Sequence, residues 1–386
     1  MERSEKEDSK GNGIPDALGM RSRNVPWIDA WKGWLILLVV VGHAAGAVCH
    51  MVEGVDRQVC RGVYFLIYSY HMPAFFFVSG WLWRDMGFAD FIRKRTRRLL
   101  IPYFLVGLVS IVIFAMAGGA QCMHVGVEGG YYSQCVSNNG AILPNVLSLL
   151  QGGGWPQGEG FRYNSVLWFL PCMFTVQLLY WTISKFVKSR VGWAAVVLGC
   201  FMGSVCISRS GFSYWPWGLS CAPAYLCYFI GGRLLCQWRR NRPFVVPWWL
   251  TFVLVGGHLL WVYVWIRIGE YGLVNSGVRM MTAFCGILAS AAVVSRFSGR
   301  LMNVFCLLGV SSMSVMCWHK FFIVGVQAKI RLFAKLCQFG MIGTFLGGVL
   351  LTAGAIAFVY ALTTACRLLA ARMRLLLSRM DAWKRL

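Results

Sequence analysis

Apolar runs long enough to cross a lipid bilayer recur along almost the whole chain, and this repetition limits the fold more than any other feature. The first starts near Gly33. Others cover roughly 63–83, 99–118, 166–184, 191–207, 219–236, 246–266, 278–295, 301–325 and 341–366. About 20 apolar residues in helical form cross the ~30 Å hydrocarbon core. Lipid offers no partner for backbone N–H and C=O groups, so each run has to satisfy its own as a helix. The expected fold is therefore an all-α, polytopic transmembrane bundle of about ten spans. Composition agrees: 58% of residues are hydrophobic, 13% are charged and mean hydropathy is +0.60. Soluble domains lie closer to half apolar and a quarter charged.

No long polar region separates the runs, so residues 27–366 read as one membrane domain. Residues 1–26 are polar, with Gly and Pro and no apolar period, and read as a mobile cytoplasmic tail; 367–386 read as a basic cytoplasmic tail. The stretch Ala44–Ala45–Gly46–Ala47 resembles a signal-peptide cleavage site. The long preceding region and His43 inside the run favour a retained helix. The one sizeable loop, 119–165, is rich in Gly, Ser, Asn, Tyr and Gln. It suits either a folded cover over a polar ligand or a merely solvated loop.

The net charge of +23 invites a nucleic-acid reading, but the distribution opposes it. Basic residues fall in short clusters between apolar runs, as Arg93, Lys94, Arg95, Arg97 and Arg98 do. Such clusters hold cytoplasmic loops in place. Alternating spans from an inside N-terminus puts most of the 37 Lys and Arg on the inside, and the reverse orientation inverts that bias. Both termini are thus expected in the cytoplasm, and loop 119–165 outside. Lys329, Arg331 and Lys335 are the discord, falling outside. The 15 cysteines form no CxxC pair and no Cys/His metal spacing, so no metal is expected. Most sit inside apolar runs, where a thiol acts as a small hydrophobe. Cys122 and Cys135 lie in the outside loop, where a disulfide can form.

Polar groups inside a membrane are expensive, and each is a functional candidate. The first helix holds Asp29, Lys32 and His43. Lys32 and His43 are about three helical turns apart and Asp29 and His43 about four, so all three share one face. Lys32 and His43 are then about 16 Å apart along the axis. That spacing suits two ends of one long substrate. A neutral imidazole takes a proton from a hydroxyl near neutral pH, which suits His43 as a general base; a structural hydrogen bond between helices is the plainer alternative. The second run holds His71 ahead of Pro73, where a kink is expected; His71 reads as a second acid–base group or as a structural one. Arg93, Arg97 and Arg98 read as topology signals or as a phosphate site, since guanidinium matches phosphate oxygens in bidentate fashion. Asn164 and Trp168 open the fourth run, Trp168 as an interface anchor or a sugar-stacking surface. Arg279 lies just inside the eighth run, and His319 deep in the ninth. His258 reads as a core histidine, and His50 and His124 as loop residues.

These residues carry a resemblance. Trp27-Ile28-Asp29-Ala30-Trp31-Lys32-Gly33 with Val39-Val40-Val41-Gly42-His43 resembles the start of the integral-membrane acyltransferase-3 family, most of all its fucose 4-O-acetylase-like branch. His71-Met72-Pro73-Ala74-Phe75-Phe76-Phe77-Val78-Ser79-Gly80, Arg97-Arg98-Leu99-Leu100-Ile101-Pro102-Tyr103, Leu167-Trp168-Phe169-Leu170, and Leu308-Gly309 through His319 are similar in the same order. The resemblance covers roughly residues 25–325. It implies about ten membrane helices and transfer of an acyl group, usually acetyl, from cytoplasmic acetyl-CoA to a hydroxyl of a cell-envelope sugar or polysaccharide. It implies that His43 matches the family's essential first-helix histidine, as general base or transient acyl acceptor. Many relatives carry Arg where this chain has Lys32. Lys320 after His319 is a further departure.

The resemblance also implies residence in the plasma (inner) membrane, with acetyl-CoA, a glycan or glycolipid acceptor and membrane lipids as partners. The CoA phosphates would rest near Lys32 and Arg93–Arg98, with the acceptor near Asn164, Trp168, Arg279 and His319. Two other classes share the helix count: a transporter or flippase of a lipid-linked glycan, which expects inverted repeats and paired broken helices, and a non-catalytic membrane scaffold, which expects His43 and Lys32 to be dispensable.

Overall fold

The computed structural model describes residues 26–49, 54–116, 120–125, 132–137, 142–152, 164–210, 215–239, 246–268, 273–329 and 340–383. Their helices are α1 (Pro26–Cys49), α2 (Gly54–Tyr68), α3 (His71–Trp81), α4 (Phe88–Arg95), α5 (Ile101–Met116), α6 (Ile142–Leu150), α7 (Phe169–Phe186), α8 (Arg190–Arg209), α9 (Ala222–Arg239), α10 (Trp248–Ile268), α11 (Leu273–Val294), α12 (Gly299–Val310), α13 (Ser312–Lys329) and α14 (Gly340–Trp383). Among the described residues, eight helical segments are long and apolar enough to span a membrane, and nine if α12 and α13 count as one bent span. The helices wear their apolar side outward. α8 buries only Val205, while Val191 and Leu198 are exposed, as are Phe252, Val253 and Leu260 on α10 and Ile342 and Phe345 on α14. In water such surfaces would associate. In lipid they are the solvated side.

Three expected spans differ from their sequence reading. The run at 63–83 is two helices, α2 and α3, parted at Ser69 and Tyr70. Pro73 does not kink a helix, because it lies in the first turn of α3, where a missing N–H costs nothing. The ninth run breaks at Ser311, with α12 and α13 bent by 77°. The segment 84–98 is no loop from Phe88 onward: α4 continues through a wider π turn at Thr96–Leu100 into α5, so the arginine cluster rides on the start of a span. The expected basic tail at 367–386 continues α14 as far as Trp383. The expected tail at 1–26 lies outside the described residues up to 25, and so do Arg331 and Lys335; Lys329 closes α13.

The loop 119–165 has structure of its own. Strands β1 (Ala120–Val125) and β2 (Tyr132–Ser137) form an antiparallel pair, the one sheet among the described residues. Its register sets Cys122 opposite Cys135. α6 folds back on the bundle, where the Tyr103 hydroxyl donates to the Leu149 carbonyl at 2.6 Å.

Two close helix crossings build the centre, and glycines make both possible. A Cβ on Gly33 would stand 2.8 Å from the carbonyl carbon of Phe305, and one on Gly309 2.7 Å from that of Asp29, so α1 and α12 meet backbone to backbone. α3 and α9 meet the same way: a Cβ on Gly80 would be 2.8 Å from the carbonyl carbon of Phe229, and one on Gly232 2.8 Å from that of Phe77. Small residues give this approach in membranes, where packing rather than water exclusion drives association.

Candidate active site

The Lys32 end of α1 is anchored by tryptophans. Trp27 packs edge-on against Trp81, the last residue of α3, at 5.5 Å. The Trp31 indole donates to Ser290 of α11 at 3.0 Å. Just past Trp81 the chain reaches Trp83, over which the Arg95 guanidinium lies at 5.2 Å. Arg233 of α9 donates to the Trp83 carbonyl at 2.9 Å and to the Asp85 carboxylate at 3.0 Å. Lys32 and the 93–98 cluster therefore share one end of the bundle.

The charges there are partly spoken for. Lys32 pairs with Asp29 at 2.5 Å, with Asp29 almost fully buried. Asp29 shares the face of α1 that carries His43, and on one continuous helix it lies about 21 Å from it along the axis. It pairs instead with Lys32, one turn along the same helix. Arg93 is paired with Asp90 at 2.7 Å. Arg97 and Arg98 are exposed, as is Lys94.

Deeper in, three histidines from three helices converge. The ring centroids of His43 on α1 and His319 on α13 are 5.2 Å apart. Tyr68, the last residue of α2, packs edge-on against His71 at 4.7 Å, and its hydroxyl lies 3.0 Å from His43 Nδ1. His71 and Lys320 are also within electrostatic reach of His43. The break at Ser69 and Tyr70 places Tyr68 and His71 together, and the bend at Ser311 turns α13 towards His43. Asn164 and Ser165, at the turn leading into α7, close the group. The Asn164 amide donates to the Cys317 carbonyl at 3.0 Å, and the Lys320 ammonium bonds the Ser165 hydroxyl.

Burial sorts these side chains into two layers. His71, His319 and Asn164 are buried. His43, Tyr68, Ser165 and Lys320 are partly exposed although they sit among core residues. The second set is what a molecule reaching the cluster would touch.

The hydrogen bonds sort the histidines further. His71 Nδ1 faces the Ile67 carbonyl at 2.8 Å, and His319 Nδ1 faces the Val315 carbonyl at 2.7 Å. A carbonyl only accepts, so both rings carry their proton on Nδ1 and present a bare Nε2. The His319 Nε2 is buried and meets no partner among the described residues. His43 alone in the cluster faces a hydroxyl, which both donates and accepts, so its tautomer is free to change. In the tautomer a base needs, Nδ1–H donates to Tyr68 and Nε2 is left to take a proton. Among the described residues no group of three His, Cys, Asp or Glu side chains is placed to hold a metal ion.

Two expected acceptor residues pack against other aromatic rings. Trp168 is buried against Tyr225 at 5.7 Å and Phe169 at 6.4 Å, so it is a packed side chain and no interface anchor. Arg279 is exposed near the start of α11, with its guanidinium over Trp265 at 5.2 Å, and within electrostatic reach of Tyr225 and Tyr228. His258 is a core histidine, accepted by the Thr282 carbonyl at 3.0 Å and packed on Tyr70. Sequence reading gave Tyr68 and Ser165 no role and named Lys320 only as a departure from the family pattern. Of these, Lys320 had a signal, being a cation inside an apolar run.

The fold and this cluster define a multi-pass membrane protein that gathers acid–base side chains inside its helices. The acyltransferase-3 family, described as "Acyltransferase domain", matches residues 25–364, and the chain belongs to that family. Neither the curated proteins nor the solved structures give a match.

Proposed function

We propose that the protein is an O-acyltransferase that moves an acetyl group from cytoplasmic acetyl-CoA to a hydroxyl of a cell-envelope sugar or polysaccharide, with the reaction at His43. One observation supports this above the rest. His43 is the partly exposed histidine of a three-histidine cluster inside a membrane bundle, its Nδ1 is held by Tyr68, and its Nε2 is left for a substrate. The arginine end faces the cytoplasm of a plasma (inner) membrane. There the exposed Arg97 and Arg98, with Arg93 and Lys32, receive the phosphates of CoA, and the pantetheine arm runs along α1. Lys32 and His43 stand about 16 Å apart along the helix, a span that an extended arm covers. The acceptor reaches the same centre past Ser165, with Asn164 buried behind it.

The test uses membranes containing the protein, labelled acetyl-CoA and a panel of glycans. Acceptor-dependent thioester consumption with label in the glycan is expected. Glycan translocation with no label transferred would instead make the protein a transporter.

A further inference from the structure

Lys320 is a cation in the cluster that general-base chemistry leaves unused, and it is an expensive one. It sits in the middle of α13 next to the fully buried His319, with Val315, Met316 and Cys317 buried just before it. The three ion pairs among the described residues are Lys32 with Asp29, Arg93 with Asp90 and Arg233 with Asp85. None involves Lys320. The ammonium has the neutral Ser165 hydroxyl as its hydrogen-bond partner, and it is close enough to His43 to interact with it electrostatically. A membrane-embedded cation with no carboxylate partner among the described residues is costly unless something anionic joins it. Two buried polar atoms beside it, Asn164 Oδ1 and His319 Nε2, also meet no partner among the described residues.

The geometry points to Lys320 as the electrostatic catalyst of the transfer, holding the negative charge that develops on the thioester oxygen, with Ser165 fixing the ammonium's position. This rests on the acyl-transfer reading above. The acceptor O–H bond breaks as His43 Nε2 takes the proton. The hydroxyl oxygen forms a bond to the thioester carbonyl carbon, and the carbonyl π electrons move onto its oxygen. That oxyanion meets the Lys320 ammonium. On collapse the C=O bond re-forms, the C–S bond breaks, and the CoA thiolate leaves with the proton held on His43. A charge that exists only along the reaction path is where a fixed cation accelerates most.

The test compares Lys320→Gln, Lys320→Met and Lys320→Arg with wild type, using purified protein, labelled acetyl-CoA and the acceptor that wild type uses. Removing the charge is expected to lower kcat by about 10²–10³-fold, the usual effect of losing one oxyanion donor. KM values, acetyl-CoA affinity and thermal midpoint should stay near wild type. Lys320→Arg keeps the charge and should retain at least about a tenth of kcat. Three results would overturn the inference. One is wild-type kcat in Lys320→Gln. Another is a loss confined to KM for acidic acceptors, which would make Lys320 a carboxylate reader. The third is equal loss in the Arg and Met variants. The first of these, with wild type active and His43→Ala dead, sinks this inference alone. A wild-type protein that transfers no acyl group to any acceptor sinks the underlying reading with it.

Discussion

Replacing Gly309 by alanine tests whether the α1–α12 crossing sets the site. The added Cβ would lie 2.7 Å from the Asp29 carbonyl carbon and 3.0 Å from the Gly33 nitrogen. The Asp29 carbonyl oxygen would be nearer still; non-bonded atoms prefer about 3.5–4.0 Å, so the helices must part by more than about 1 Å. Both obstacles are backbone, so no side chain can swing aside. Overpacking of this kind costs about 1–3 kcal/mol. The same displacement acts on chemistry, because α1 carries His43 while α12 leads through the bend into His319 and Lys320. A misplacement of about 1 Å costs about 10²-fold in rate. Thermal unfolding in detergent, followed by size exclusion, should show a lowered midpoint, and acyl transfer should fall by about two orders of magnitude. Gly256→Ala on α10 is the control, since its Cβ would enter open space. A Gly309→Ala protein with wild-type midpoint and activity would refute the crossing as the determinant of site geometry.

Other outcomes follow from named contacts. Lys32→Met removes the ammonium that pairs with the buried Asp29 carboxylate and should lower the thermal midpoint; Asp29→Asn with Lys32→Met should recover most of it, and no recovery would contradict the pairing. Tyr68→Phe removes the hydroxyl from His43 Nδ1, so kcat should fall about tenfold, the worth of one hydrogen bond, with KM for both substrates unchanged. Cys122 and Cys135 face each other across β1 and β2, where opposed Cα atoms stand about 4.5–5.5 Å apart, within disulfide range. Peptide mapping of unreduced protein should find them linked, and two free thiols would count against an outside position for this loop.

Much of this was legible in the sequence, for reasons that differ by residue. Apolar run length announces a membrane helix wherever it occurs, so the helical bundle could be read. Its breaks could not. Ser69 and Tyr70 carry no helix-breaking chemistry, and Pro73 misdirects because a proline in a first turn looks in sequence like a kink. Helical period put Asp29, Lys32 and His43 on one face of α1, and helical rise already separated Asp29 from His43 along it, but neither shows what packs against that face. The meeting of His43, His71 and His319 is a tertiary fact. The motif text suggested each of them singly. Gly33, Gly80 and Gly309 stood within the same motif text, yet their work as crossing points depends on partners far along the chain. Lys320 was visible as an intramembrane cation, but only its neighbours show that it belongs to the cluster.

The central claim is that one intramembrane histidine is the reacting group. Comparing His43→Gln with His258→Gln tests it directly, because both side chains sit inside the bundle and only one lies in the cluster. The measurement is acceptor-dependent release of CoA from acetyl-CoA, at matched amounts of folded protein. The account predicts a loss of at least about 10²-fold for His43→Gln, in the range general acid–base catalysis supplies, and near wild-type turnover for His258→Gln. Wild-type turnover in a folded His43→Gln protein would contradict it.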